Sequence, residues 1–214
     1  MMQPIMFDYI LKGATKGELV AIQRILDRNK ELCIPNEFCE NGGKVFSSEY
    51  FEVPDKGDYF VFDLSKEGII RLKCDSRVGI IYYDIPDRDR VLEQLVLMIS
   101  GYKILDCDYS EIIDILKKGC VFKWVQFGGS YDKAIYNINM ALKSVKNKVV
   151  ASYFQINDLA LAEAAEIISE VIEEYHVETY QFISSELEEI EGTVSMFISV
   201  GEDPFLLAKC RKGL

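Results

Sequence analysis

Gly101-Tyr102-Lys103-Ile104-Leu105-Asp106-Cys107-Asp108-Tyr109-Ser110-Glu111-Ile112 places three carboxylates within six residues, between a helical stretch that stops at Gly101 and another that begins after Asp108. Asp108 and Glu111 stand in D-x-x-E spacing, a capping box in which each side chain satisfies a backbone N–H of the first helical turn. Ile112, Ile115 and Leu116 then share one face. Lys117-Lys118-Gly119 reads as the helix end, with cations at its negative pole and then a residue free to take positive φ.

Downstream the signals continue in order. Cys120 to Phe127 reads as a buried strand. Gly128-Gly129-Ser130 turns into a helix with Ala134, Ile135, Ile138, Ala141 and Leu142 on one face. Lys148 to Ile156 is a strand, and Asp158 caps a helix over about 159–175 with a regular 3-and-4 apolar repeat from Leu161 to Tyr175. Val177 to Ser184 and Thr193 to Val200 are strands joined by the acidic turn Ser185 to Gly192. The second alternates cleanly, with Val194, Met196, Ile198 and Val200 on one face.

Upstream, residues 5–11 read as a strand and 16–29 as a helix with Leu19, Ile22, Ile25 and Leu26 inward. Short strands follow at about 44–53, 58–64, 68–74 and 78–84, separated by Pro54-Asp55-Lys56-Gly57 and Lys66-Glu67-Gly68. Pro86-Asp87 starts a helix whose stripe is Val91, Leu92, Leu95, Val96 and Ile99. The expected organisation is a strand-rich α+β unit over 1–86, a connecting helix over 87–101, a second unit over 102–202 and a tail over 203–214. The fold class is α+β, a mixed sheet with helices packed on it.

A net charge of −11 with scattered Lys and Arg argues against binding a phosphate backbone, so no nucleic-acid partner is expected. No apolar run reaches the ~18 residues that span a bilayer, and the N-terminus lacks the basic start and apolar stretch of a signal peptide. The expectation is a cytoplasmic protein with no membrane partner. Cys33, Cys39, Cys74, Cys107, Cys120 and Cys210 form no C-x-x-C pair, and His176 is the sole histidine, so reduced thiols and no metal are expected. No cofactor is expected either.

The second half resembles the C-terminal domain of the tubulin and FtsZ superfamily over about residues 88–202. The resemblance rests on the acidic loop before Ile112, the strand Val121 to Phe127 with Gly128-Gly129 and an alanine-bearing helix, the Leu161-Ala162-Glu163-Ala164-Ala165-Glu166-Ile167-Ile168 stretch, and the closing hairpin Phe182 to Val200. The order and spacing carry it, not any one motif. The resemblance implies that Asp108 and Glu111 occupy the two acidic positions of a loop that, in the family, completes the GTP site of the next subunit. Glu111 matches the position that orients or polarises the attacking water. The family's glycine-rich phosphate loop is absent. Gly13-Ala14-Thr15-Lys16-Gly17 lacks the spacing of a P-loop, so autonomous GTP binding is not expected. Asp106 stands where the family has Asn. Gln155 and Asn157 stand where it has glycines after its third strand.

The functional expectation is a non-catalytic, FtsZ- or tubulin-like interaction protein of bacterial cell division. It would dock on or regulate a GTPase filament, or associate with itself, through Asp106, Asp108 and Glu111. The plain alternative is that Asp108 and Glu111 only cap a helix. Gly128, Gly129 and Ser130 precede a helix and could hold an anion, although a structural turn accounts for them. A chorismate mutase-like or RidA-like fold, binding an anionic metabolite, is the alternative that would make it an enzyme or a small-molecule binder. Such sites grip carboxylates with Arg, and Arg71, Arg77, Arg88 and Arg90 gather near the connecting helix. A homo-oligomeric structural role is the third reading.

Overall fold

The computed structural model describes residues 7–32, 43–49, 59–74, 77–100, 121–128, 136–137, 139–140, 149–155, 178–184 and 193–199. Nine strands, β1 (Asp8–Lys12), β2 (Val45–Ser47), β3 (Tyr59–Lys66), β4 (Ile69–Cys74), β5 (Arg77–Tyr82), β6 (Val121–Gly128), β7 (Val149–Gln155), β8 (Glu178–Ser184) and β9 (Thr193–Ser199), accompany α1 (Lys16–Leu32) and α2 (Arg88–Ser100). The strands form one mixed sheet in the order β2-β1-β3-β4-β5-β6-β9-β7-β8. The α+β class with a mixed sheet is therefore observed.

β1 is flanked by parallel β2 and β3. Tyr9, Ile10 and Leu11 are all buried, so β1 is covered on both faces, as central parallel strands are. β3, β4 and β5 form an antiparallel meander. Gly68, at φ +72°, makes the tight turn between the first two. β5 pairs in parallel with β6, with Ile81 opposite Phe122. This ladder joins strands from both sides of the division expected near residues 86–102 into one sheet.

α1 and α2 share one core with the sheet. Ile22 and Leu26 of α1, and Val91, Leu92, Leu95, Val96 and Ile99 of α2, pack with Tyr9, Phe60, Phe62, Ile70, Leu72 and Tyr83. Phe122, Trp124 and Phe197 belong to the same cluster. The stripe read on residues 91–99 is thus the buried face of α2, and the indole N–H of Trp124 donates to Gln94 Oε1 at 3.2 Å. At the far end of α2, the Tyr9 and Ser100 hydroxyls share a 2.5 Å hydrogen bond. Asn29 Nδ2 donates to the Ser100 carbonyl, one of the groups that a helix end leaves open.

Most strands lie within two residues of their expected ends, but β2 is shorter than the expected 44–53. The chain turns at Ser48-Glu49, where the Ser47 hydroxyl accepts the Glu49 N–H, a local bond that competes with the ladder. The start of α2 also differs. Ile85–Asp87, with Pro86, is a 3-10 turn, and the α-helix proper begins at Arg88. Tyr136 and Met140 are helical and exposed, between the apolar positions read for that stretch. The helix expected at 159–175 and His176 lie outside the described residues.

Candidate functional site at the carboxyl end of the parallel strands

From β1 the chain crosses through α1 to β2 on one side, and β3 lies on the other side of β1. In open sheets such a reversal of strand order leaves a crevice beyond the carboxyl ends of the strands, where ligands commonly sit. Here it is bordered by Gly13 after β1, the N-terminus of α1, the end of β3 and the N-terminus of α2.

The chain fills this crevice with its own groups. Thr15 and Glu18 form a T-x-x-E capping box. The Thr15 N–H donates to Glu18 Oε2 at 2.6 Å, and the Glu18 N–H donates to Thr15 Oγ1 at 3.2 Å. Arg88, at the start of α2, closes on the same carboxylate, through Nε to Oε1 at 2.5 Å and Nη2 to Oε2 at 3.2 Å. Its Nη1 donates to the Leu64 carbonyl at 3.1 Å and Nη2 also to the Gly13 carbonyl at 2.9 Å. One guanidinium therefore ties together the ends of β1 and β3 and the starts of both helices, in the planar bidentate geometry suited to a carboxylate.

The electrostatics follow. Burial pushes the Glu18 carboxyl up, but the bonds from Arg88 and Thr15 outweigh it and hold the group below the usual carboxylate range. The bond to Glu18 raises Arg88 above its ordinary value, against the effect of burial. Tyr83, whose hydroxyl is buried, is raised by burial, with the nearby Arg88 charge opposing.

Beside the clasp, Gly13 takes φ +71°, and a Cβ there would come within 3.0 Å of the Ser65 backbone, so only glycine fits. The Ser65 N–H donates to the buried Asp63 carboxylate at 3.0 Å, at the bulge that shifts the β3–β4 register before its last pair, Lys66–Ile69. Lys12 lies 3.3 Å from the other Asp63 oxygen, and Arg71 at 4.0 Å. Burial alone would raise Asp63, yet its bonds to Ser65 and Lys12 lower it.

Arg71, Arg88 and Arg90 do not converge. Arg71 serves Asp63, Arg88 serves Glu18, and Arg90 stands 4.0 Å from Asp87. The anion pocket that their closeness in sequence suggested is not formed by these three. Arg77 lies in β5. Among the described residues, no group of three metal-ligating side chains converges, and no helix is long and apolar enough to cross a membrane. Of the residues singled out in the sequence, Gly128 is the last residue of β6, opposite Thr193 of β9. Gly129, Ser130, Asp106, Asp108 and Glu111 lie outside the described residues. The Thr15–Glu18 capping box was missed, although T-x-x-E ahead of Leu19-Val20 is a legible signature. Arg88 was noted only as one of four arginines.

No family model matches the chain, and no curated protein matches it. Several solved structures are similar to it. A point mutant of FtsZ from M. jannaschii superposes at a TM-score of 0.44, 17% identical, over 54% of this chain and 40% of that one. CetZ from Methanosaeta thermophila gives 0.38 at 10% identity, over 97% of this chain and 66% of that one. TubZ of Bacillus thuringiensis serovar israelensis, in GDP-form protofilaments, gives 0.35 at 12% identity, over 96% and 59%. The chain spans less than two thirds of the length of each.

Proposed function

We propose that the protein is a non-catalytic interaction partner of an FtsZ-like GTPase filament in bacterial cell division, docking in the cytoplasm through the acidic loop Asp106–Glu111. The observation that supports this most is the Glu18–Arg88 clasp. A phosphate at the crevice would have to displace a buried carboxylate that already holds the N–H of Thr15, the residue that caps α1, and a bidentate guanidinium. The chain therefore offers no vacant phosphate seat there, which suits a partner of a nucleotide-binding protein better than a nucleotide-binding protein.

The test is GTP turnover by the FtsZ of the same organism, with this protein titrated in. A severalfold change in rate that Glu111→Gln abolishes is expected. An unchanged rate at every ratio would reject the reading.

A further inference from the structure

The two edges of the sheet differ. One edge is β2, three residues long, and the chain leaves it at the Ser47–Glu49 turn. The other is β8, seven residues long, which runs beside β7 in unbroken register from Val149–Glu178 to Gln155–Ser184. Among the described residues β8 pairs with β7 alone. Every second residue of β8 therefore turns its N–H and C=O toward the place of a further strand. Folded proteins protect such an edge with short strands, bulges, Pro, or charges, Lys above all. β2 is protected by its length. Glu178-Thr179-Tyr180-Gln181-Phe182-Ile183-Ser184 has no Pro, Lys or Arg, no break in register, and one charge, at its first position. We propose that β8 is an interface whose occupant is the β8 of a second copy of this chain, running antiparallel across a two-fold axis at Gln181.

Self-complementarity selects the second copy. In that register Gln181 stands opposite the second copy's Gln181, Tyr180 opposite its Phe182, Thr179 opposite its Ile183, and Glu178 opposite its Ser184. The Tyr180–Phe182 pair, made twice by symmetry, is of the aromatic kind that stabilises neighbouring strands. The two Glu178 positions fall at opposite ends of the ladder, about 20 Å apart, so like charges do not meet. The pairing also closes on itself. It consumes the long edge of each copy and leaves two short β2 edges, so association stops at a dimer instead of growing into a fibre.

Charge sets how the dimer responds to its surroundings. A seven-residue ladder is a small contact, and each copy carries a net charge of −11. The dimer is therefore concentration-dependent, and salt strengthens it by screening the repulsion between copies. An interface held by ion pairs responds in the opposite sense. The edge lies in backbone and strand register alone, so it is independent of the acidic loop Asp106–Glu111.

The experiment is sedimentation equilibrium of the full chain from about 1 to about 200 μM, at about 50 and about 500 mM sodium chloride. A monomer–dimer equilibrium, tighter at the higher salt, is expected. Gln181→Lys and Gln181→Glu each set like charges face to face at the axis, and each should weaken the dimer at least tenfold with the far-UV circular dichroism unchanged. Mixed in equal amounts, the two variants place Lys opposite Glu, and the dimer should return. Amide hydrogen exchange of the unaltered chain gives a reading that needs no variant: exchange in β8 should slow from about 1 to about 200 μM, and exchange in β2 should not. A monomer at every concentration, a dimer that both variants leave intact, a mixture that stays monomeric, or β8 exchange indifferent to concentration would overturn the proposal. None of these outcomes bears on the GTPase assay of Glu111.

Discussion

At the scale of single residues, Arg88 holds more of the site together than any other side chain described. It bonds to Glu18, Leu64 and Gly13, and Glu18 is nearly fully buried, so removing the guanidinium strands a desolvated carboxylate. Arg88→Met is expected to cost about 3 kcal/mol, read from urea unfolding at pH 7. Glu18→Gln keeps the shape and is expected to cost less, about 1–2 kcal/mol. The same pair sets the acid limb. Glu18 and Asp63 sit below the usual carboxylate range, so near and below about pH 4 the folded state binds fewer protons than the unfolded one, and stability falls as pH drops. In Arg88→Met the largest of the effects that lower Glu18 is gone and only the Thr15 bonds are left to oppose burial, so the slope of unfolding free energy between about pH 3 and 5 should be shallower than in the unaltered protein. An equal slope would show that the clasp does not set the charge state of Glu18. Glu93 acts in the opposite sense: its raised carboxyl makes the folded state the better proton binder, which takes stability away as pH rises through its titration. Half of this site was legible in the sequence. T-x-x-E before an apolar run is a local signature, as plain at Thr15 and Glu18 as D-x-x-E is at Asp108 and Glu111. The other half was not: Arg88 lies 70 positions from Glu18, and nothing in spacing tells which of four arginines will meet which carboxylate.

At the scale of elements, α2 shows what periodicity can and cannot give. The spacing of Val91, Leu92, Leu95, Val96 and Ile99 identified its buried face, because a helix that covers a sheet must present one apolar stripe. It did not reveal that Gln94, a polar residue beside that stripe, is buried as the acceptor for Trp124. Burying an amide is acceptable only when it is bonded, and the partner lies 30 residues on. β2 was overread for a related reason, since Ser47, Ser48 and Glu49 offer the backbone a local turn that a tally of strand-forming residues ignores. Leu95 is 1% exposed within the shared core, and Leu95→Ala is expected to lower stability by about 2–5 kcal/mol through lost transfer energy and the cavity left behind. Urea unfolding followed by far-UV circular dichroism checks it. A cost under about 1 kcal/mol would mean that α2 is only loosely seated on the sheet.

At the scale of the whole molecule, the sequence read the strands well one by one and could not read their union. Alternation marks a strand and its inward face, but which strand neighbours which depends on partners far along the chain, and the parallel β5–β6 ladder has no turn between its strands to announce it. That ladder and the core around α2 carry a consequence for folding. Trp124, the single tryptophan, lies in β6, yet it packs in one cluster with Tyr9, Phe60 and Phe62 of β1 and β3. If the sheet unfolds as one body, the fluorescence of Trp124 and the far-UV signal of all elements must lose structure at the same urea concentration. Phe60→Leu, made in β3 and distant in sequence from the tryptophan, should then shift both midpoints equally, by an amount equivalent to about 1–2 kcal/mol. A variant that moved the circular dichroism midpoint and left the Trp124 midpoint in place would show instead that the strands before and after α2 are separate cooperative units. The shared cluster argues for the first outcome: an aromatic ring buried against Trp124's own neighbours cannot be trimmed in a close-packed interior without the other half of the core registering the loss.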